Sequence, residues 1–148
     1  MAQGDVVVFN EAKLSLLDGT HDLDTHTIKV AICDNTAAPT ATSLVDGVAF
    51  TTLFTEVGNA GSYTTGGDAI TISLTESAGT VKFDSADNPT WAQNASNDTD
   101  AYWGIIYNTQ SVGVANEAIA YVDLGGPIDM SAGTLTINWN ANGIFTLA

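Results

Sequence analysis

Near the start of the chain Phe9, Ala12, Leu16 and Leu17 recur at intervals of three and four residues, with Glu11, Lys13 and Ser15 between them. That spacing predicts a short amphipathic helix. Gly19 stands where a left-handed cap is wanted, so the helix should end at about Asp18. Residues 27–32 then alternate, Ile28, Val30 and Ile32 pointing one way and Lys29 and Ala31 the other, as in a strand on which the helix lies. Residues 34–42 are polar and contain Pro39, which reads as a loop. Leu44, Val45, Val48, Leu53, Phe54 and Val57 fit either a helical turn or a strand, and a short helix over about residues 48–56 is the expectation.

The glycine-rich residues 58–67 predict a turn region. They do not spell a phosphate loop, because no Lys-Ser/Thr pair and no helical pattern follows. Residues 69–74 alternate and Gly79 turns the chain into Val81-Lys82-Phe83, which predicts a hairpin. Residues 84–100 are rich in Asp, Asn and Ser, with Trp91 and Ala92 as a short anchoring strand inside them. Residues 102–107, 118–122, 134–139 and 144–147 complete the strand pattern. Strands spaced by roughly a dozen residues and separated by Gly, Asn and Asp predict a mainly β chain. The expected form is an antiparallel β-sandwich or jelly-roll-like barrel with one short N-terminal helix. The many threonines suit such a pleated, half-exposed surface. A length of 148 residues fits a single domain over 1–148. Within it, the run Val6-Val7-Val8 is open to two readings, part of an N-terminal arm at residues 1–8 that docks on a neighbour, or a first edge strand.

Charge narrows the partners. Seventeen acidic residues stand against Lys13, Lys29 and Lys82, with no arginine, for a net charge of −14. Nucleic-acid affinity depends on clustered Lys and Arg releasing counterions, and an anionic membrane repels the same surface, so neither partner is expected. Hydrophobic residues at 45% and charged residues at 14% are the balance of a chain that folds. Cys33 is the single cysteine, which rules out an intrachain disulfide and a cysteine-based zinc site, and its strand context predicts a buried, inert thiol. There is no basic leader before an apolar stretch and no run of about 20 apolar residues, so synthesis in the cytoplasm is expected.

Candidate chemistry is sparse. His21, Asp22, Asp24 and His26 are the one dense set of metal-ligand types, but their spacing matches no zinc pattern and supplies only a fragment of a calcium loop. Asp22 and Asp24 are explained as acceptors in turns of the Asx type. Asp98 and Asp100, with Asn94 and Asn97, form a second acidic loop without the burial that a general acid needs. Ser15, Ser43, Ser73 and Ser131 show no nucleophile elbow. Trp91, Trp103 and Trp139 would suit a sugar platform or, more simply, core and interface anchors. No catalytic, cofactor-binding or metal residue is therefore assigned, and no cofactor is expected.

Several segments together carry a resemblance. They are Lys13-Leu14 through Leu17-Asp18-Gly19, Asp22-Leu23-Asp24-Thr25 leading into Ile28-Lys29-Val30, and Tyr63-Thr64-Thr65-Gly66-Gly67. Val81-Lys82-Phe83-Asp84, Thr90-Trp91-Ala92, and Gly133-Thr134-Leu135-Thr136-Ile137-Asn138-Trp139 through Gly143-Ile144 continue the set. In this order they resemble small structural proteins of tailed bacteriophages, most of all the capsid decoration, or cement, proteins. The resemblance implies a non-enzymatic β-sandwich or jelly-roll-like module on the outer surface of the capsid. It also implies a homo-oligomer, a trimer favoured, that ties major capsid protein subunits together. A phage tail or fibre-associated β domain and a carbohydrate-binding module are the alternatives.

Overall fold

The computed structural model describes residues 3–148. The fold is mainly β, and every strand pairing is antiparallel. Its largest sheet is built on two long neighbours, β7 (Ala101–Asn108) and β8 (Glu117–Ile128). β1 (Val6–Val8) flanks β8, while β2 (Ile28–Cys33) and then β3 (Asp68–Ile70) lie beyond β7, giving the order β1-β8-β7-β2-β3. A second sheet of β4 (Ile72–Ser77), β5 (Thr80–Ser85) and β10 (Phe145–Leu147) has the order β10-β5-β4. β6 (Thr90–Trp91) and β9 (Leu135–Thr136) pair separately.

Val6, Val7 and Val8 stand opposite Val122, Tyr121 and Ala120, so this run is an edge strand of the large sheet and not a free arm. Residues 1 and 2 of the expected arm lie outside the described residues. β2 is more enclosed than its alternation suggests: Ala31 and Cys33 are buried as deeply as Val30 and Ile32. A central strand covered on both faces has no solvent side, which is why the polar half of the pattern is nearly absent there.

The N-terminal helix α1 (Asn10–Leu17) ends at Asp18, and Gly19 follows with φ +86°, as expected of a left-handed cap. Its buried face differs from the expected one. Phe9, Ala12 and Ser15 face inward, whereas Leu17 is 87% exposed and Leu14 is 56% exposed. At about 100° per residue Leu17 lies about 140° around the helix from Ala12, so packing Ala12 on the core turns Leu17 away. Phe9 sets this rotation by lying against both Phe54 and Tyr121, with ring centroids 5.9 and 5.1 Å away.

The expected helix over residues 48–56 shrinks to one turn, α2 (Phe50–Leu53). On one side Ala49 bridges to Glu117, on the other Glu56 bridges to Cys33, and these strand-like pairings leave no room for a longer helix. The run at 69–74 divides. β3 pairs with β2, and after Thr71 the chain crosses to the second sheet as β4. β4 and β5 form the expected hairpin, closed by Ala78 and Gly79 at φ 53° and 84°. Two consecutive left-handed residues match the twist of the flanking strands.

Of residues 134–139 only Leu135 and Thr136 form a strand, although Ile137 N still donates to the Pro89 carbonyl and Trp139 N to Asn88 Oδ1. The glycine-rich turn is held against β2. Tyr63 Oη accepts from Ile32 N at 3.0 Å and donates to Glu56 Oε1, while Tyr107 Oη donates to the Gly66 carbonyl. Gly67, at φ +59°, lies so near β2 that a Cβ there would sit 1.8 Å from the Val30 carbonyl oxygen. Residues of both larger sheets, of the β6–β9 pair and of the loops between them join in one hydrophobic core.

Candidate functional site

The three-stranded sheet has two unlike faces. Its register sets Phe145, Phe83 and Leu74 in one row and Leu147, Val81 and Glu76 in the next. Strand alternation puts Ser73, Thr75, Lys82, Asp84 and Thr146 on the opposite side. On the apolar side Phe83 and Phe145 stack at 4.5 Å and form the floor of the surface. The end of α1 and the turn after it form a facing wall with Leu16, Leu17 and Leu23. Between sheet and wall runs an open groove of about 530 Å³. Leu17 stands proud of it, and Leu74, Val81 and Leu147 remain between 39% and 44% exposed. A cluster of large exposed aliphatic side chains in one groove marks an interaction surface more often than scattered single ones do.

The rim is acidic. Asp22 and Asp24 line the groove, and Glu76 shares the row of Val81 and Leu147. Hydrogen bonds from the Thr25 hydroxyl and from the Thr25 and Asp24 N–H groups hold the Asp22 carboxyl below the usual range. Asp18, one turn earlier, is lowered by bonds from Thr20, so both carboxylates stay charged at neutral pH.

Behind the wall the two histidines turn inward. Asn108 Nδ2 donates to His21 Nδ1 at 3.2 Å and to His26 Nδ1 at 2.9 Å. An amide nitrogen only donates, so both Nδ1 atoms accept and neutral His21 carries its proton on Nε2. That Nε2 lies 3.9 Å from Glu117 Oε1, too far for a hydrogen bond. Burial pulls the His21 pKa down to about 4, and burial raises that of Glu117. His21 Nε2 and Glu117 Oε2 are both buried without a hydrogen-bond partner. Ser15 completes the cluster, but its hydroxyl donates to Glu117 Oε1 at 3.3 Å rather than to an imidazole, and the side chain is 1% exposed. Serine, histidine and glutamate are thus near one another without the nucleophile-to-base bond that acyl transfer needs.

Asp22 takes part in a turn, accepting from Asp24 N, while His21 and His26 face Asn108, so the four residues do not converge. Among the described residues no group of three or more His, Cys, Asp or Glu side chains is arranged to hold a metal ion. In the second acidic loop Asp98 accepts from Gly58 N and Asp100 N. Its buried member is Asn97, which donates to the Ala92 and Met130 carbonyls and accepts from Ser62 N. Cys33 is buried, and burial pushes its thiol pKa upward, away from the reactive thiolate.

Nor do the tryptophans form one row. Trp91 is buried beside Tyr63, Trp103 donates to Asn35 Oδ1, and Trp139 donates to the Asp87 carbonyl. Trp139 also borders a second, polar cleft of about 520 Å³, together with Asn138, Asn140 and Asn142. No helix among the described residues is long and apolar enough to cross a membrane.

Sequence reasoning missed the groove, because it placed Leu17 on the buried helical face and gave Leu74 and Val81 no role beyond a hairpin. A signal was present in the hairpin itself, where Leu74, Val81 and Phe83 alternate with Ser73, Thr75 and Lys82, so that one face is apolar apart from Glu76. No family model, no curated protein and no solved structure matches this chain.

Proposed function

We propose that this chain is a structural module of a tailed-phage virion that decorates the outside of the capsid and stabilises it by bridging major capsid protein subunits. The observation that carries the reading is the open apolar groove between α1 and the β4–β5–β10 sheet, set in a body of net charge −14. A groove with exposed leucine and valine suits lasting contact with another protein. The negative charge suits a surface that meets solvent and other proteins, since beside packaged DNA it would be repelled. The resemblance of the segments around Leu17, Tyr63, Val81, Trp91 and Ile137 to decoration proteins points the same way. A trimer belongs to this proposal, and sedimentation of the purified protein measures it.

Electron microscopy of particles made with and without the protein tests the reading. Regular density over the head, and heads that release DNA at lower temperature when the protein is missing, are the expected results. Density on the tail alone, with head stability unchanged, would replace it with the tail or fibre reading. The polar cleft beside Trp139 favours one second reading, a carbohydrate-binding module in which the indole stacks on a sugar and the Asn138, Asn140 and Asn142 amides contact its hydroxyls. Glycan-array binding that Trp139→Ala abolishes would support that alternative.

A further inference from the structure

We propose that the groove between α1 and the β4–β5–β10 sheet seats an extended segment of a partner protein, apolar at alternate positions and flanked by Lys or Arg. The inference rests on the groove being the working surface and adds the chemistry of its occupant.

Charge complementarity selects the flanks. Asp22 and Asp24 line the groove and Glu76 continues its sheet wall, while no Lys is among the lining residues. Lys82 belongs to the opposite face of the sheet, where its Nζ lies 2.8 Å from Asp84 Oδ2. An apolar segment entering this groove therefore meets an acidic rim with no cation of its own, and basic flanks complete the match. A second copy of the chain fits poorly, since it brings a further charge of −14 and only three lysines.

Strand topology selects the extended form. β4 is an edge strand, with β5 on one side and no strand on the other among the described residues. Ile72–Ser77 holds no Pro, and its one charged residue, Glu76, opposes an acidic strand while admitting a basic one. Leu74 projects from this same strand into the groove. A partner strand added beside β4 would thus set every second side chain on the apolar side. Under the proposed function this segment belongs to a shell subunit.

The test is a titration of the full chain, followed by NMR of its Leu and Val methyl groups, with two synthetic peptides. Both alternate valine and threonine; one carries lysines at its ends and the other glutamates. The lysine peptide should shift the methyls of Leu74 and Leu17 most, those of Val81 less and those of Leu147, on the far strand, least, and added salt should weaken its binding. Leu17→Lys, at a position already exposed, should weaken that binding by about tenfold or more. Asp24→Asn should weaken it less, and serves if Leu17→Lys fails to fold by circular dichroism.

The inference is overturned if the methyls do not move, if the glutamate peptide binds equally well, or if neither variant changes binding. Groove shifts that grow with protein concentration alone would also overturn it, since they would identify a second copy as the occupant. Shell binding left intact by Leu17→Lys sinks this inference and spares the decoration role. Tight binding of the lysine peptide by a protein absent from particles does the reverse.

Discussion

His21 and Glu117 are buried side by side, and each resists its own charged form. Their effects on stability run in opposite directions with pH. In the unfolded chain His21 titrates near 6.5, and in the fold at about 4. Between those values the unfolded state holds more protons, so stability falls as pH falls. Glu117 is raised above its ordinary 4.5. From 4.5 upward the folded state holds more protons, so stability falls as pH rises. The two slopes offset one another, and single substitutions should separate them. Urea unfolding of Glu117→Gln should show a gain on the order of 1 kcal/mol at pH 7.5 and a steeper loss from pH 6.5 down to 4. His21→Gln should become more stable as pH falls from 6.5 toward 4.5. A wild-type slope unchanged in both variants would refute this account. The histidines were visible as a pair beside Asp22, but Glu117 and Asn108 come from distant strands, and no local spacing announces them.

At the scale of elements, the tightest requirement lies where the glycine-rich turn meets β2. Gly67→Ala combines a left-handed backbone with a Cβ driven into the Val30 carbonyl, and should cost about 3 kcal/mol in urea unfolding. The β1 strand makes a second requirement. Deleting residues 1–8 removes three half-buried valines from the flank of β8 and should cost about 2–4 kcal/mol; a chain that acted as a free arm there would lose nothing. Most strands and the hairpin turn were legible because alternation in β4 and β5, dense apolar runs in β7 and β8, and a Gly beside Ala78 encode them locally. Helix rotation and helix length were not. Leu17 looks apolar enough to be buried, and only the contact of Phe9 with Phe54 and Tyr121 decides that it is not. The groove is a product of that rotation, so it was hidden for the same reason.

Across the whole molecule the pairings join distant parts of the chain: Val6 with Val122, Ile28 with Asn108, Thr90 with Thr136. Closing such loops before any contact rewards them is slow, so refolding from urea should take milliseconds to seconds in a stopped-flow experiment, and a microsecond phase carrying the full signal would contradict this topology. The mainly β class was readable from strand spacing and threonine content, whereas which strand lies beside which was not, since order in a sheet is decided by these long-range pairings. The Ala78–Gly79 turn is the counterpoint, a purely local closure with open space around the Gly79 Cβ position. A foreign loop spliced between those two residues would replace the turn and leave the register to the six β4–β5 pairs that run from Ile72–Ser85 to Ser77–Thr80, which makes this tip a natural place to carry an epitope or an affinity tag outward from the body of the protein.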